Sequence, residues 1–240
     1  MPSDQKFSLR PLYMQVRDLI LERITNGTWK AGAMLPAEVD LARELGISSG
    51  TVRKALDALE AERVISRRQG KGTFVNDSKT QALAWRYDNL RGKDGSRLAG
   101  ASSTGEMTSG PANEAERQRL RLGVGERVVR IRRVHMNGDR PYMYEDVALP
   151  ERHFPGLAQH LHVPQRMAEL AQEFGLVLGR GVETVQAVAA GATAADILSI
   201  AKGTPILELD RVVFAIDGRP LEWRVATCHL GEERYVAEFD

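Results

Sequence analysis

The stretch from Pro36 to Val75 constrains the fold more than any other part of this 240-residue chain. Apolar residues recur there at the spacing of two amphipathic helices, with Gly46 between them. The apolar stripes are Leu41, Ala42 and Leu45 in the first helix and Val52, Ala55, Leu56 and Leu59 in the second. Ser48 or Ser49 can cap the second helix, because a hydroxyl there accepts hydrogen bonds from the free amides of the first turn. The pattern predicts two short helices joined by a tight turn.

A basic tip rich in glycine follows these helices. Residues 67–72 read RRQGKG and lead into Thr73-Phe74-Val75, a short strand. Glycine permits a sharp turn and a close approach of the backbone to a partner. Two helices followed by a hairpin with a basic tip outline a winged helix-turn-helix, a fold typical of DNA-binding proteins. The alternative is a small helical hairpin with a solvated basic loop.

The chemistry of these residues suits double-stranded DNA. The first turns of the second helix can enter a major groove, where an arginine donates two hydrogen bonds to a guanine edge. The amino end of a helix also favours a phosphate. Basic groups of the tip, Arg67 included, can contact the phosphate backbone or the minor groove. The predicted DNA-binding residues are Ser48, Ser49, Thr51, Arg53, Lys54, Arg68, Gln69, Gly70 and Lys71.

Composition narrows the class of protein. A hydrophobic content of 42% and a charged content of 27% are ordinary for a soluble globular protein, and no apolar run is long enough to span a membrane. The single cysteine, Cys228, excludes an intrachain disulfide and fits a reducing, cytoplasmic location. The first 75 residues carry 12 Lys/Arg against 9 Asp/Glu, whereas the rest carries 21 against 23. This asymmetry agrees with DNA binding by the N-terminal part.

The chain order predicts two domains. A helix from Pro11 to about Asn26 should pack behind the helix-turn-helix, so the first domain covers residues 9–75. The polar residues 76–82 form a linker, and residues 83–240 form a second domain. Its strands alternate with helices, which predicts an α+β domain with a mainly antiparallel sheet. Residues 92–110, rich in Gly, Ser and Thr, are predicted to form a loop with a short strand near Met107, either as a lid over a pocket or as a surface insertion.

Two segments of the second domain resemble each other. They read RRVHMNGDRPYMYEDVAL and DRVVFAIDGRPLEWRVAT. This similarity predicts a duplicated hairpin that places Arg133 and Arg211 at related positions of one sheet. The alternative is that Asp, Gly, Arg and Pro simply make a favourable turn in both places.

One carboxylate stands within an apolar strand face. Strand side chains alternate between faces, so Glu145 shares a face with Met143 and Val147. Burying an unpaired charge is costly, and Arg133 and His135 across the hairpin are the natural partners. These groups form either a structural ion pair or the floor of a pocket for a small polar ligand.

Residues 11–75 closely resemble the GntR family of bacterial transcription regulators. The matching motifs are Pro11-Leu12-Tyr13, residues 32–38 (GAMLPAE), Leu41-Ala42, Gly46-Ile47-Ser48, Thr51-Val52-Arg53, Ala55-Leu56 and residues 68–75 (RQGKGTFV). The later chain resembles the HutC subfamily, whose effector domain is called UTRA and has a fold similar to chorismate lyase. The resemblance implies a homodimer, joined through its effector domains, that acts as a repressor on a palindromic operator. It also implies a small-molecule effector that releases the DNA. The residues offer no nucleophile–base pair and no cluster of metal ligands, so we expect no catalytic role and neither cofactor nor metal.

The chain departs from the GntR pattern at three positions. Ala37 stands where the family usually has a helix-capping serine. Ser49 stands where the family usually has an arginine, and Val39 where some members have another. Those arginines contact DNA in the family, so their absence places more weight on Arg53, Thr51, Lys54 and the wing.

The UTRA resemblance also implies effector contacts. In relatives that bind phosphosugars this region has Arg-x-Arg, a turn with Pro, and Glu four residues later. Arg133 matches the first Arg, His135 replaces the second, and Pro141 and Glu145 match. Glu222 matches a further effector-contacting Glu, and a family Tyr falls at Cys228 or His229. The predicted effector residues are Arg133, His135, Glu145, Glu222 and His229.

The histidine in place of an arginine favours a small carboxylate or an amino-acid-like effector over a sugar phosphate. Two other functions stay open. The second domain could have lyase-like enzyme activity, given its similarity to chorismate lyase. The chain could also be a nucleoid-type DNA binder without a ligand, although a buried Glu145 disfavours that reading.

Overall fold

The computed structural model describes residues 10–77, 87–98, 102–160 and 163–237. The chain divides into two compact units with the boundary after Ala84, and residues 175–177 group with the first unit. The predicted domain limits, 9–75, 76–82 and 83–240, stay a prediction, because residues 78–86 lie outside the described part.

The N-terminal unit is the predicted winged helix-turn-helix. It contains α1 (Leu12–Thr25), α2 (Glu38–Leu45), α3 (Ser49–Ala61), β1 (Ile65–Arg68) and β2 (Gly72–Val75). Its core contains the apolar stripes of α2 and α3, in which Leu41, Val52 and Leu56 are completely buried. Helix α1 packs on α3, and the buried Arg17 of α1 binds Glu62 at the end of α3 with an N–O distance of 2.7 Å. The hydrophobic periodicity therefore predicted both the helices and their packing faces.

Gly46 and Ser48 determine where α2 ends and α3 begins. Gly46 ends α2 in the left-handed conformation (φ 64°), which glycine adopts without steric strain. Ser48 caps α3, since its Oγ accepts a hydrogen bond from the amide of Thr51 at 3.2 Å. Ala37 precedes α2 and makes no side-chain cap. The start of α2 therefore lacks the stabilisation that the start of α3 has.

The C-terminal unit is built on a six-stranded antiparallel sheet. Its strands are β4 (Ser102–Pro111), β5 (Arg127–Asn137), β6 (Arg140–Pro150), β7 (Leu178–Ala189), β8 (Pro205–Ala215) and β9 (Pro220–Cys228). Their order across the sheet is β4-β5-β6-β9-β8-β7. Its helices are α4 (Glu114–Leu120), α5 (Met167–Glu173) and α6 (Ala192–Leu198). A separate short ladder joins β3 (Leu90–Arg91) to β10 (Arg234–Tyr235). The predicted α+β class with an antiparallel sheet is confirmed.

The sheet is an internal duplication. The succession β4-α4-β5-β6 repeats as β7-α6-β8-β9. In the sheet, β4-β5-β6 run inward from one edge and β7-β8-β9 run inward from the other, so the two halves meet at β6 and β9. Both long hairpins change register shortly before their turn, between His135 and Met136 and between Val213 and Phe214. The predicted duplication is thus confirmed, and it places Arg133 and Arg211 at related positions on the same face.

The short strand predicted near Met107 is confirmed, but the strand is longer than predicted and replaces the expected loop over residues 102–110. These residues belong to β4, an edge strand of the sheet that pairs with β5. Its Ser, Thr and Gly residues lack the apolar alternation that marks a half-buried strand, but main-chain hydrogen bonds to β5 do not depend on side chains. Residues 102–110 therefore form no lid, and residues 99–101 lie outside the described part.

No helix among the described residues is long and apolar enough to cross a membrane.

The two helix caps allow a matched stability test. We expect Ser48→Ala to lower the free energy of unfolding of the N-terminal unit by about 1 kcal/mol, because it removes the hydroxyl that accepts from Thr51. Ala37→Ser should raise that free energy by a similar amount, up to ~1 kcal/mol, because it supplies the missing acceptor. Urea denaturation followed by circular dichroism measures both changes. An unchanged stability in Ser48→Ala would contradict the capping role.

Candidate DNA interface and effector site

The predicted DNA-binding residues lie at the start of α3 and at the tip of the β1–β2 hairpin. Arg53 and Lys54 are exposed on α3, away from its buried stripe, and Arg68, Gln69 and Lys71 are exposed at the tip. Ser49 and Thr51 are partly exposed, and the hydroxyl of Thr51 lies 2.9 Å from that of Ser48. The N-terminal unit therefore presents basic groups from both elements.

Arg53 is held by an acidic partner from the preceding helix. Its Nε donates to Glu38 Oε2 at 2.9 Å, although 66% of the side chain remains exposed. Glu38 also lies 3.5 Å from a terminal nitrogen of Arg67. One carboxylate therefore orients the guanidinium that protrudes from the first turns of α3.

Arg67 has a structural role within the N-terminal unit. Its guanidinium donates to Asp57 at 2.6 Å and to Glu60 at 2.8 Å, and its amide donates to Glu60 at 2.9 Å. These bonds fasten β1 to the exposed face of α3. The charge of Arg67 is therefore used within the protein, and it sets the position of the wing relative to α3.

The wing tip keeps its own cations accessible. The Arg68 guanidinium lies over the Phe74 ring, 4.7 Å from the ring centroid. Gly70 has a φ of 68°, and the amide of Lys71 donates to the carbonyl of Arg68 at 2.9 Å. The tight turn leaves the Lys71 side chain exposed at the end of the hairpin.

The polar cluster predicted on the sheet is present. Arg133 and Glu145 face each other in register on β5 and β6, and both side chains are 4% exposed. Arg133 Nη1 and His135 Nε2 each lie 3.3 Å from Glu145 Oε1. The structure therefore brings together three of the five predicted effector residues around one buried carboxylate.

Arg133 also holds the chain segment before α5. Its two terminal nitrogens donate to the main-chain oxygens of Pro164 at 3.0 Å and Gln165 at 3.2 Å. The guanidinium therefore connects the floor of the cluster to a segment that covers it.

Sequence reasoning missed two members of the cluster, Arg224 and Glu183. Arg224 Nη1 lies 3.2 Å from Glu145 Oε2, and Arg224 Nη2 lies 3.7 Å from Glu183 Oε2. Arg224 could have been predicted from the sequence, because strand alternation puts it on the same face of β9 as Glu222. The position of Glu183 could not be read in this way, since β7 shows no apolar alternation.

Glu222 belongs to a second ion pair on the same face. Its Oε1 accepts from Arg211 Nη2 at 2.8 Å, and Arg211 also donates to the main-chain oxygen of Tyr87. Arg211 thus holds the segment before β3, much as Arg133 holds the segment before α5. The duplication therefore supplies two buried arginines, each fastened to a covering segment.

His229 is not joined to this cluster by any hydrogen bond or ion pair among the described residues. It follows the end of β9, where its amide donates to Tyr142 O at 2.8 Å and its carbonyl accepts from Arg140 at 3.1 Å. The adjacent Cys228 is completely buried and pairs with Met143 on β6. Strand alternation therefore turns Cys228 toward the cluster face, and burial raises the pKa of its thiol to about 12.

The cluster is charged and nearly balanced. Burial alone would raise the pKa of Glu145, but Arg224, His135 and Arg133 hold it well below its ordinary value. Burial opposes the charge of Arg224, yet Glu145 and Glu183 keep its pKa above the usual value. Three carboxylates, of Glu145, Glu183 and Glu222, thus face three guanidiniums, of Arg133, Arg211 and Arg224.

Four buried polar atoms of the cluster lack a hydrogen-bond partner among the described residues. They are Arg133 Nε, His135 Nε2, Glu183 Oε2 and Arg224 Nε. Such atoms are rare in folded proteins, since an unsatisfied buried group loses the hydrogen bonds that water would provide. Two guanidinium nitrogens, one imidazole nitrogen and one carboxylate oxygen without partners near Glu145 indicate a site that a polar ligand can complete.

Comparisons with known proteins now decide the family. The model "UTRA domain" matches residues 101–232, and the model "Bacterial regulatory proteins, gntR family" matches residues 12–75. The chain is a GntR-family regulator with a UTRA domain.

Two relatives match most of this GntR-family regulator. The histidine utilization repressor of Pseudomonas putida is 30% identical over 203 residues, which cover 84% of this chain and 81% of that protein. The mannosyl-D-glycerate transport/metabolism system repressor MngR of Escherichia coli (strain K12) is 27% identical and covers 89% of this chain and 90% of that protein. The solved ligand-binding domain of a GntR-family regulator from Bordetella bronchiseptica has a TM-score of 0.58 and 28% identity, over 63% of this chain and 96% of that chain.

The opposite face of the UTRA sheet carries a groove of about 490 Å³. Its charged lining residues pair with one another, Arg130 with Glu116 at 2.6 Å and Arg132 with Asp146 at 2.7 Å. The unpartnered buried atoms of the GntR-family regulator therefore lie on the Glu145 face rather than in this groove.

Among the residues that the structure describes, no group of three or more His, Cys, Asp or Glu side chains is placed to hold a metal ion.

Proposed function

We propose that this GntR-family regulator is a repressor that leaves a palindromic operator when a small carboxylate or amino-acid-like metabolite binds its UTRA domain. The observation that carries the proposal is a charged, buried and incompletely hydrogen-bonded cluster in the same chain as a winged helix-turn-helix. The first feature supports a ligand switch, and the second supports DNA as the target.

Arg53 is our candidate for base readout. It is the exposed guanidinium on the first turns of α3, and the family arginines expected at Ser49 and Val39 are absent. Arg68 and Lys71 at the wing tip hold the phosphate backbone or the minor groove. In this arrangement Glu38 releases Arg53 to a guanine edge when DNA arrives.

A homodimer supplies the specificity that one α3 helix lacks. A single recognition helix contacts only a few base pairs, and a two-fold axis doubles the number that is read. Two-fold dimers are also the most common assembly of soluble proteins. We place the dimer contact in the UTRA domains, as the family resemblance implies.

The charge balance of the cluster supports a carboxylate effector. His135 stands where phosphosugar-binding relatives have a second arginine, so the site lacks one fixed positive charge for a phosphate dianion. The unpartnered nitrogens of Arg133 and Arg224 can donate to a carboxylate, and the unpartnered oxygen of Glu183 can accept from an amino group. The relative named as a histidine utilization repressor agrees with a link to amino-acid metabolism.

The effector acts by favouring one arrangement of the two DNA-binding units over another. Only a difference in affinity between these arrangements can shift the equilibrium. A coupling free energy of ~1–3 kcal/mol is enough for about 5- to 150-fold induction.

Selection of binding sites from random duplex DNA by the full-length protein tests the proposed target. We expect a palindromic consensus, because two equal half-sites face two equal α3 helices. Light scattering at micromolar concentration should give the mass of two chains, both free and on the selected site. A one-to-one complex on a single half-site would contradict the homodimer.

Arg53 and Lys71 should affect operator binding in different ways. Arg53→Ala should cost roughly 1–3 kcal/mol on the selected operator and relax its sequence preference. Arg53→Lys is the matched control, because it keeps the charge but not the two-pronged geometry. Lys71→Ala should weaken all sequences alike and reduce the salt slope by about one unit. Fluorescence anisotropy with operator and scrambled duplexes measures these effects, and equal losses on both duplexes in Arg53→Ala would refute base readout.

A thermal-shift screen of amino acids, dicarboxylates, sugar phosphates and inorganic phosphate tests the effector class. We expect compounds with a carboxylate to raise the melting temperature, since a ligand at one hundred times its Kd stabilises the native state by about 2.7 kcal/mol. Glu145→Gln should keep operator binding and lose most of the response to the same compound.

Asp146→Asn is the control for that variant, because Asp146 lies next in sequence and pairs with Arg132 on the opposite face. If Glu145→Gln lowers the melting temperature but leaves ligand affinity intact, the cluster is a structural ion pair. Chemical turnover of the bound compound would favour the lyase alternative.

A further inference from the structure

Glu183 is shared between the effector cluster and a different part of the UTRA domain. Its Oε2 lies 3.7 Å from Arg224 Nη2 and has no hydrogen-bond partner among the described residues. Its Oε1 accepts from the Tyr235 hydroxyl at 2.8 Å and from Asn89 Nδ2 at 3.2 Å. The same carboxylate therefore compensates an arginine of the cluster and holds two groups outside it.

Arg224 is shared in turn between two carboxylates. It lies closer to Glu145, at 3.2 Å, than to Glu183. A bound anion that attracts Arg224 therefore weakens the compensation of Glu183. A buried carboxylate without its cation is unfavourable, so Glu183 must then move toward other partners.

The chain of contacts ends on residues 87–91, the first described segment after the winged helix-turn-helix. Only nine residues of sequence separate Asp77 from Tyr87. The Tyr87 hydroxyl donates to Gly179 O at 2.7 Å, and Asn89 also donates to the Tyr235 hydroxyl at 2.9 Å. The main chain of Asn89 accepts from the amide of Val236 at 2.8 Å.

These anchors are concentrated around β7 and the C-terminal strand β10. Gly181 of β7 allows the close approach, because a Cβ there would lie 2.8 Å from the Tyr87 ring. The segment that follows the linker in sequence is therefore held mainly by the half of the sheet that contains Glu183.

We propose that Glu183 is the residue that passes occupancy of the Arg133–Glu145–Arg224 cluster to residues 87–91. This relay serves regulation only if the proposed repressor function holds, since residues 87–91 follow the linker to the DNA-binding unit in sequence. In the resting state Glu183 holds Asn89 and Tyr235. A change in the partner of Arg224 shifts Glu183, and the anchoring of the segment changes with it.

Hydrogen–deuterium exchange of the full-length protein tests this relay without DNA or effector. Peptides that cover residues 87–92 report the anchoring directly, because local opening sets the exchange rate. The Glu145→Gln variant leaves Glu183 as the only ion-pair partner of Arg224 among the described residues, and so draws Glu183 away from Asn89. We expect roughly three- to tenfold faster exchange in these peptides. In the Glu183→Gln background, adding Glu145→Gln should have no further effect on the segment.

Controls separate a relay from general loosening. Asp146→Asn, on the opposite face, should leave exchange at residues 87–92 unchanged. If Glu183→Gln does not fold, Tyr235→Phe combined with Asn89→Leu removes the same link from its other end, and it should likewise abolish the effect of Glu145→Gln.

Two results would overturn the relay. One is that Glu145→Gln exchanges at residues 87–92 like Asp146→Asn. The other is that its effect persists undiminished without the Glu183 link. Because the assay contains neither operator nor effector, either result leaves the proposed repressor function intact. A failed operator selection would in turn leave the relay intact.

Discussion

The buried carboxylate of Glu145 is the constraint on which the C-terminal unit depends. Its side chain is 4% exposed, and the guanidiniums of Arg133 and Arg224 within 3.3 Å make its burial tolerable. Arg133 and His135 come from β5 and Arg224 comes from β9, so β5, β6 and β9 must keep their register around Glu145. A shift of one residue would turn any of these groups to the opposite face.

The duplication explains how one sheet supplies so many buried charges. Each half contributes a long hairpin with an arginine near its middle, and each arginine also fastens a covering segment. Arg133 binds the carbonyls before α5, and Arg211 binds the carbonyl of Tyr87. The two halves then differ in their second strand, where Glu145 of β6 faces the cluster beside Arg224 of β9. The pairing of β6 with β9 brings those opposite charges together.

The N-terminal unit uses charge for a different purpose. Glu38 and Glu60 bind Arg53 and Arg67 within the protein, so the wing and α3 form one surface before DNA is present. Arg67 lies within 3.5 Å of three acidic side chains, whereas Arg53 is held by one and stays exposed. A single ion pair to Glu38 can be exchanged for a guanine edge more readily than the several bonds of Arg67.

The amino-acid sequence by itself determined the winged helix-turn-helix, the α+β class, the duplicated hairpins and the trio of Arg133, His135 and Glu145. All of these depend on local periodicity, a turn motif or pairing across one hairpin. Only the tertiary structure decided that β4 is an edge strand, that Arg67 fastens the wing, and that Arg224 and Glu183 complete the cluster. Those features depend on which strands become neighbours. That choice is made by contacts between residues far apart in sequence, so a side chain such as Glu183 shows its partner only when the sheet is assembled.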